Sequence, residues 1–444
     1  MMNTYELIKK KRDGLALSKQ EIDYLIDGFT DGSIPDYQMA AFLMSVYFNG
    51  MNARECTDLT LSIVNSGSTV DLSPIKGFKI DKHSTGGVGD KTTLVLAPLV
   101  ASCGAIVAKM SGRELGHTGG TIDKLESIPG MRTDFSKDQF IDITNRVHMS
   151  IIGQTQSLAP ADKLIYALRN VTATVDAIPL IASSIMSKKL AAGADGIVLD
   201  VKTGAGAFTP HFADAVELAK TMVGIGIGAG KKITALITGM EQPLGCAIGN
   251  AVEVKEAIDT LNGKGPADLR ELILALGSEM LLLSGVAQSR LAARERLKAQ
   301  LVNKSAAEQF KAFLKAQGGR SDVVDNAELL PKSRVVIPVE STHSGFVQGI
   351  NAFEAGMAAK MLGAGRQTKA DVIDLSIGIL LKKKVGDSVE QGESLANLYS
   401  DGDEAKALPA SRRLLEAYTI SPKAVAPTKL ILARVTPDNF EELT

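Results

Sequence analysis

The chain has 444 residues, with 49 Lys+Arg against 50 Asp+Glu and a formal charge of −1, a balance that excludes a partner held by bulk charge, such as a nucleic acid. At 45% hydrophobic and 22% charged residues it has the composition of a globular protein, long enough for about three domain-sized units. Its 42 glycines, absence of Trp and 5% aromatic content fit an α/β enzyme with tight strand-to-helix turns rather than a base-stacking platform.

Residues 1–66 read as helices. Ser18-x-x-Glu21 and Asn52-x-x-Glu55 fit capping boxes ahead of apolar residues at helical spacing, and Pro35 fits the first turn of DYQMAAFLMSVYF. The opening residues MMNTYELIKKKRDG carry charges where a secretory signal needs an apolar stretch. From about residue 78, short β-branched runs at 105–108, 151–153, 197–201 and 233–237 alternate with helical sequence, which argues βα units and a parallel or mixed sheet. The apolar run 94–108 is broken by Pro98, Ser102 and Gly104, falls short of a membrane span, and reads as a buried helix leading into a strand. Residues 160–170 and 179–192 return to helix, and 266–317 read as a long helical stretch. RVVIPVES, SGFVQGI and IGILLKKKVGDSVEQGESLANLYS then turn to β. The expected architecture is α/β, with a small helical domain (1–70 and 160–194), a large mixed-sheet α/β domain (71–159 and 195–335) and a C-terminal α+β subdomain (336–444). The active site is expected in the interdomain cleft. Cys56, Cys103 and Cys246 are odd in number and far apart, so neither a disulfide framework nor a CxxC metal site is indicated and a reducing cytoplasm is expected.

The strongest chemical signal is KHSTGGVGDKTT, residues 82–93, between an apolar run and a helical one. Glycines let backbone N–H groups converge on an oxyanion, a helix start adds a favourable dipole, and Lys82, Ser84 and Thr93 supply side-chain donors. Asp90 separates Gly89 from Lys91, which excludes a Walker loop, and the glycine spacing excludes GxGxxG. A second loop, KMSGRELGHTGGT at 109–121, offers Ser111 and Thr121 and faces the same anion if its strand neighbours the first. A third cluster is helical: Arg169, then Ser184 and Lys188 one turn apart on an otherwise apolar helix. His83 is the one histidine in a motif with a charged ligand, while His117 suits a structural hydrogen bond as well as a role. No HExxH, Cys/His cluster or nucleophile elbow is present, so zinc hydrolysis and serine acyl transfer lack support.

KHSTGGVGDKTTL, SGRELGHTGGTIDKLES, ADKLIYALRNVTATV, PLIASSIMSKKLAAGADGIVLDVKTGAGAF and QPLGCAIGNAVEVKEAI, in this order, closely resemble the pyrimidine-nucleoside and thymidine phosphorylase family. The resemblance implies a homodimer that takes a pyrimidine nucleoside with inorganic phosphate as co-substrate, no organic cofactor and no membrane. It implies phosphate binding at Lys82, Ser84, Thr93, Lys109, Ser111 and Thr121, and base binding at Arg169, Ser184 and Lys188. The catalytic group would be His83, Arg169 and Lys188. Relatives with a structural potassium ion imply ligands at Gly89, Lys91, Leu244, Ala247 and Glu256. Lys91 stands where some relatives have Thr, so either its carbonyl binds the ion or its ammonium takes the ion's place. Glu114 replaces a common Gly and Asn170 a common Asp, neither at a substrate-binding position.

Phosphate is already an anionic nucleophile, so the site has to hold it in line and stabilise the departing base, a task that suits the cations Arg169 and Lys188. Hinges near 66–78, 153–160 and 192–196 would bring the two halves together. The rivals are a thymidine-restricted phosphorylase, an anthranilate-phosphoribosyltransferase-like enzyme needing magnesium, and a nucleoside-binding protein without turnover.

Overall fold

A computed structural model describes residues 2–114, 116–154, 158–366 and 371–443. It opens with four helices, α1 (Thr4–Arg12), α2 (Lys19–Asp31), α3 (Asp36–Asn49) and α4 (Ala53–Asn65). Both capping boxes form: Ser18 and Asn52 accept from the amides of Glu21 and Glu55, whose carboxylates reach back to the cap amides. Donors that a first helical turn leaves open are thereby satisfied. Pro35 sits one position earlier than expected, at the N-cap itself, where its missing N–H still removes no helical hydrogen bond. The chain continues through β1 (Ile80–Ser84), α5 (Thr92–Ser102), β2 (Val107–Ser111), α6 (Thr121–Glu126), α7 (Lys137–Val147) and β3 (Met149–Gly153). Helices α8 (Pro160–Arg169) and α9 (Ile178–Ala191) then return to the first four: Ile165 and Leu180 join Leu25, Phe42, Leu59 and Ile63 in one apolar core.

Next come β4 (Gly196–Thr203), α10 (Phe212–Gly228), β5 (Lys232–Gly239), β6 (Ala247–Gly249), α11 (Ala251–Leu261), α12 (Ala267–Leu283), α13 (Arg290–Val302) and α14 (Ser305–Ala316). The helical stretch expected over 266–317 is made of three helices, divided where Gly285 and Lys304 adopt left-handed φ of 74° and 65°. Strands β1, β4 and β5 pair in parallel, with Ser84 opposite Asp200. The parallel pair β2 and β3 is set beside β1 by a bridge from Lys79 to Ile106. Alternation along the strands divides two cores: Val198 and Leu236 face α5 and α12, while Ile197, Leu199, Ala235 and Ile237 face α9 and α10. Five strands therefore end on one side, at Ser84, Ser111, Gly153, Thr203 and Gly239, the edge where helix-covered parallel sheets bind ligands.

The remainder comprises β7 (Val335–Glu340), β8 (Gly345–Ile350), α15 (Ala352–Ala359), β9 (Gly378–Leu381), β10 (Ser388–Val389), β11 (Ser394–Ser400), α16 (Glu404–Glu416), β12 (Tyr418–Ser421), β13 (Ile431–Val435) and β14 (Phe440–Glu442). Two pairings cross the boundary expected at residue 335. β6 joins β9, β11 and β7 in one sheet, and β13 pairs antiparallel with β5 and carries β14 with it. Residues 431–442 thus extend the central sheet rather than the C-terminal unit expected over 336–444, because β5 would otherwise present a bare backbone edge. No helix among the described residues is long and apolar enough to cross a membrane.

Candidate active site

Strand β1 distributes its side chains by the two-residue period of a strand. Asp81 meets Lys109 from β2 at 3.1 Å and Lys189 from α9 at 2.8 Å. On the other side Lys82 lies 3.0 Å from Asp200 and 3.7 Å from Asp90, and Asp200 also holds Lys202 at 2.9 Å. Lys109 and Lys189 extend the network by donating to the carbonyls of Lys82 and Met110. Four buried lysines thus face two buried aspartates, Asp81 and Asp200, and the partly buried Asp90, leaving net positive charge for an incoming anion. Burial opposes the charge on Lys82, but Asp200 and Asp90 outweigh it and hold its pKa above the ordinary lysine value. Lys109 goes the other way: burial exceeds the help from Asp81 and pushes it down to about 8.

The hydroxyl candidates occupy neighbouring ends of the same edge. Ser84 and Ser111 terminate β1 and β2, Thr93 lies in the first turn of α5, and Thr121 opens α6. Ser84 Oγ accepts the Gly86 amide at 3.2 Å, which ties it to the turn of the first glycine loop. Gly120 is required where the second loop folds on itself, since a Cβ there would lie 2.3 Å from Glu114 N. Glu114 takes no left-handed φ, so its replacement of glycine is unstrained. Its carboxylate accepts the Arg366 amide at 2.7 Å, strapping this loop to the segment after α15. Asn170 is the exposed C-cap of α8.

The base-side candidates come from α8 and α9. Lys188 Nζ is 2.5 Å from Asp162 and 2.9 Å from Ser184 Oγ, which joins the i,i+4 pair as the spacing implied. Arg169 is only 1% exposed, and its guanidinium donates to the carbonyls of Thr174, Val175 and Leu180. It therefore organises the α8–α9 loop, leaving two of its five N–H groups for other partners. The His83 Nε2 atom is buried without a hydrogen-bond partner. Burial first, then Lys189, Lys109, Lys82 and Lys188, hold its pKa well below the ordinary histidine value. Lys189, the neighbour of Lys188 on α9, donates to Asp81 of β1 at 2.8 Å and to the Met110 carbonyl of β2 at 3.0 Å, which brings the sheet-edge and α9 candidates together. His117 is structural: its ring packs beside Phe208 and Phe353, with Nε2 2.9 Å from the Gly206 carbonyl. The motifs missed Asp81, Asp162, Lys189, Asp200 and Lys202. Asp81 had a signal, standing one strand period before His83; Lys202 and Asp200 had none beyond their place in β4.

The five residues implied for potassium also converge, but around Lys91. Its ammonium donates to Leu244 O at 2.9 Å, Ala247 O at 2.8 Å and Glu256 Oε2 at 2.5 Å. Gly89 is needed because a Cβ there would come within 2.5 Å of the Leu244 carbonyl. An added potassium ion does not fit these residues, since a tethered ammonium already uses the oxygens it would need.

Comparison with known proteins decides the family. Residues 5–67 match the glycosyl transferase family helical bundle domain, residues 76–307 the glycosyl transferase family a/b domain, and residues 346–421 the pyrimidine nucleoside phosphorylase C-terminal domain. A pyrimidine-nucleoside phosphorylase from Geobacillus stearothermophilus is 55% identical over 435 residues, covering 98% of this chain and 100% of that protein. The chain belongs to the pyrimidine-nucleoside phosphorylase family. Its relatives from Bacillus subtilis strain 168, at 55% identity over 98% of this chain and 100% of that one, and from Staphylococcus haemolyticus, at 56% over 96% and 98%, carry the same name. A solved anthranilate phosphoribosyltransferase from Thermus thermophilus shares the fold, with a TM-score of 0.56 and 16% identity over 70% of this chain and 99% of that one.

Proposed function

We propose that the chain catalyses reversible phosphorolysis of pyrimidine nucleosides, uridine, thymidine and deoxyuridine among them, to the free base and α-D-ribose or deoxyribose 1-phosphate, in nucleoside salvage. The observation that carries this reading is the docking of α9, which bears Ser184 and Lys188, onto a lysine-rich sheet edge through Lys189, which bonds Asp81 and the Met110 carbonyl. Phosphate, held by Lys82, Lys109 and the hydroxyls of Ser84, Thr93, Ser111 and Thr121, attacks C1′ from the face opposite the base. As the glycosidic bond stretches, negative charge develops on the pyrimidine, and Lys188 and the free N–H groups of Arg169 stabilise it. Ser184 fixes the edge of the ring. His83, held neutral by its surroundings, donates an uncharged N–H to the base rather than acting as an imidazolium acid.

Incubation with uridine and phosphate, followed by ultraviolet absorbance and assay of pentose 1-phosphate, tests the reaction. Uracil release that needs phosphate and persists in EDTA supports it; a requirement for phosphoribosyl pyrophosphate and magnesium, or no turnover at all, overturns it. Parallel rates on thymidine and deoxyuridine separate the broad enzyme from a thymidine-restricted one. We also propose a homodimer, supported by the exposed Tyr5, Tyr37, Phe48 and Leu164 on α1, α3 and α8; light scattering should give about twice the chain mass of 46.9 kDa. The three free cysteines, two of them buried, accord with a cytoplasmic location.

A further inference from the structure

We propose that Lys91 is a built-in monovalent cation, a positioning residue that makes the enzyme independent of potassium. The inference rests on the phosphorolysis reading for its kinetic arm only. An ammonium has three N–H donors, and Lys91 places all three on oxygen, two backbone carbonyls and one carboxylate, in a setting 1% exposed. Its charge is paired directly with the Glu256 carboxylate, 2.5 Å away. The same Glu256 carboxylate accepts the amides of Cys246 at 2.9 Å and Ala247 at 3.1 Å. Without a cation it would face the Leu244 and Ala247 carbonyls across an unpaired charge, which a buried site does not tolerate.

The position of this cation links it to phosphate. Lys91 is the N-cap of α5, two residues before Thr93 and two after Gly89. Its side chain pins the start of α5 and the end of the first glycine loop to residues 244–247, and Leu244 N donates to Val88 O at 3.0 Å to complete the seam. A second lysine braces that segment from the far side: Lys384 donates to the Pro243 carbonyl, to Gly245 O at 2.7 Å and to Asp268 at 3.1 Å. The segment that meets Lys91 is therefore held in place independently, and shortening the Lys91 side chain leaves a cavity lined by two carbonyls and a carboxylate. That oxygen set suits potassium or ammonium, and it rejects a cation too bulky to enter.

The test compares wild type with Lys91→Thr and Lys91→Met in tetramethylammonium chloride, with potassium or ammonium chloride substituted at constant ionic strength. Melting temperature and KM for phosphate are read in each case. Wild type should be indifferent to the substitution in both. Lys91→Thr in tetramethylammonium should melt lower and need about tenfold more phosphate, with kcat less affected, and potassium or ammonium should restore both values. Lys91→Met fills the cavity with an apolar chain and should gain nothing from either ion. The proposal is overturned if potassium raises the wild-type melting temperature or lowers its phosphate KM. It is equally overturned if Lys91→Thr matches wild type without the ion, if it folds but shows no rescue, or if Lys91→Met is rescued as well. Should Lys91→Thr fail to fold, the wild-type comparison still decides. Melting temperatures need no turnover, so they remain informative if the chain proves to have another activity.

Discussion

Lys188 is partly exposed and shared between Asp162 and Ser184, which leaves its ammonium oriented without being sealed away. Lys188→Ala should lower kcat/KM by the equivalent of about 2–4 kcal/mol, the usual loss for one transition-state donor; near-normal turnover would remove its assigned role. For His83 the prediction concerns protonation. Its pKa is held well below the ordinary value by burial and four lysines, so its imidazole resonances should not titrate between about pH 6 and 8. Lys109, at about 8, should instead weaken phosphate binding as pH rises through that value and its positive charge is lost. A His83 signal that shifts with a midpoint near neutrality would contradict the neutral-donor role. The residue types at this site were legible because they sit in long motifs, whereas their partners were not. Asp81, Lys189 and Asp200 come together only when β1, α9 and β4 pack side by side, and no local spacing encodes that.

Elements were more legible than contacts. The capping boxes at Ser18 and Asn52 are short-range chemistry, written in four residues each, and both form. The helical stretch over 266–317 was legible while its division at Gly285 and Lys304 was left unplaced, and the docking of β13 on β5 was missed because strand partners far apart in sequence leave no periodic trace. Glu55 shows how a capping element acquires a second duty: its carboxylate also receives the Leu17 amide and buried Lys11, both at 2.9 Å. Burial works against its ionisation, yet these partners and the Asn52 amide hold its pKa below the ordinary glutamate value. A depressed carboxyl contributes stability above its unfolded pKa of about 4.3 and loses it as pH falls through the lower folded value. Glu55→Gln should therefore destabilise the helical unit by about 3 kcal/mol at pH 7, and the gap from wild type should narrow below about pH 4. Calorimetry across that range checks both statements.

At the scale of the molecule, α9 belongs to two cores. Leu180 packs with the helical unit, while Met186, Leu190 and Ala191 pack with the sheet, and Lys189 fastens the helix to β1 and β2. Two of the expected hinges lie side by side below it, since Val70 N donates to Ala191 O at 2.8 Å; residues 155–157 of the third expected hinge fall outside the described residues. Gly193 adopts φ of 87°, and a Cβ there would stand 2.2 Å from the Val70 carbonyl. If closure passes through this double linker, Gly193→Ala should lower kcat together with the melting temperature, costing about 1–3 kcal/mol in stability from strained backbone. Unchanged turnover and stability would place the bending elsewhere.

The antiparallel docking of β13 on β5 also bears on biogenesis. Strand β5 leaves the ribosome long before residues 431–435 exist, so a nascent chain must carry that edge uncovered while the intervening helices and the smaller sheet are still being translated. Such an intermediate is open to mispairing with a neighbouring polysome product, and solubility during expression should depend on how quickly the late strand arrives.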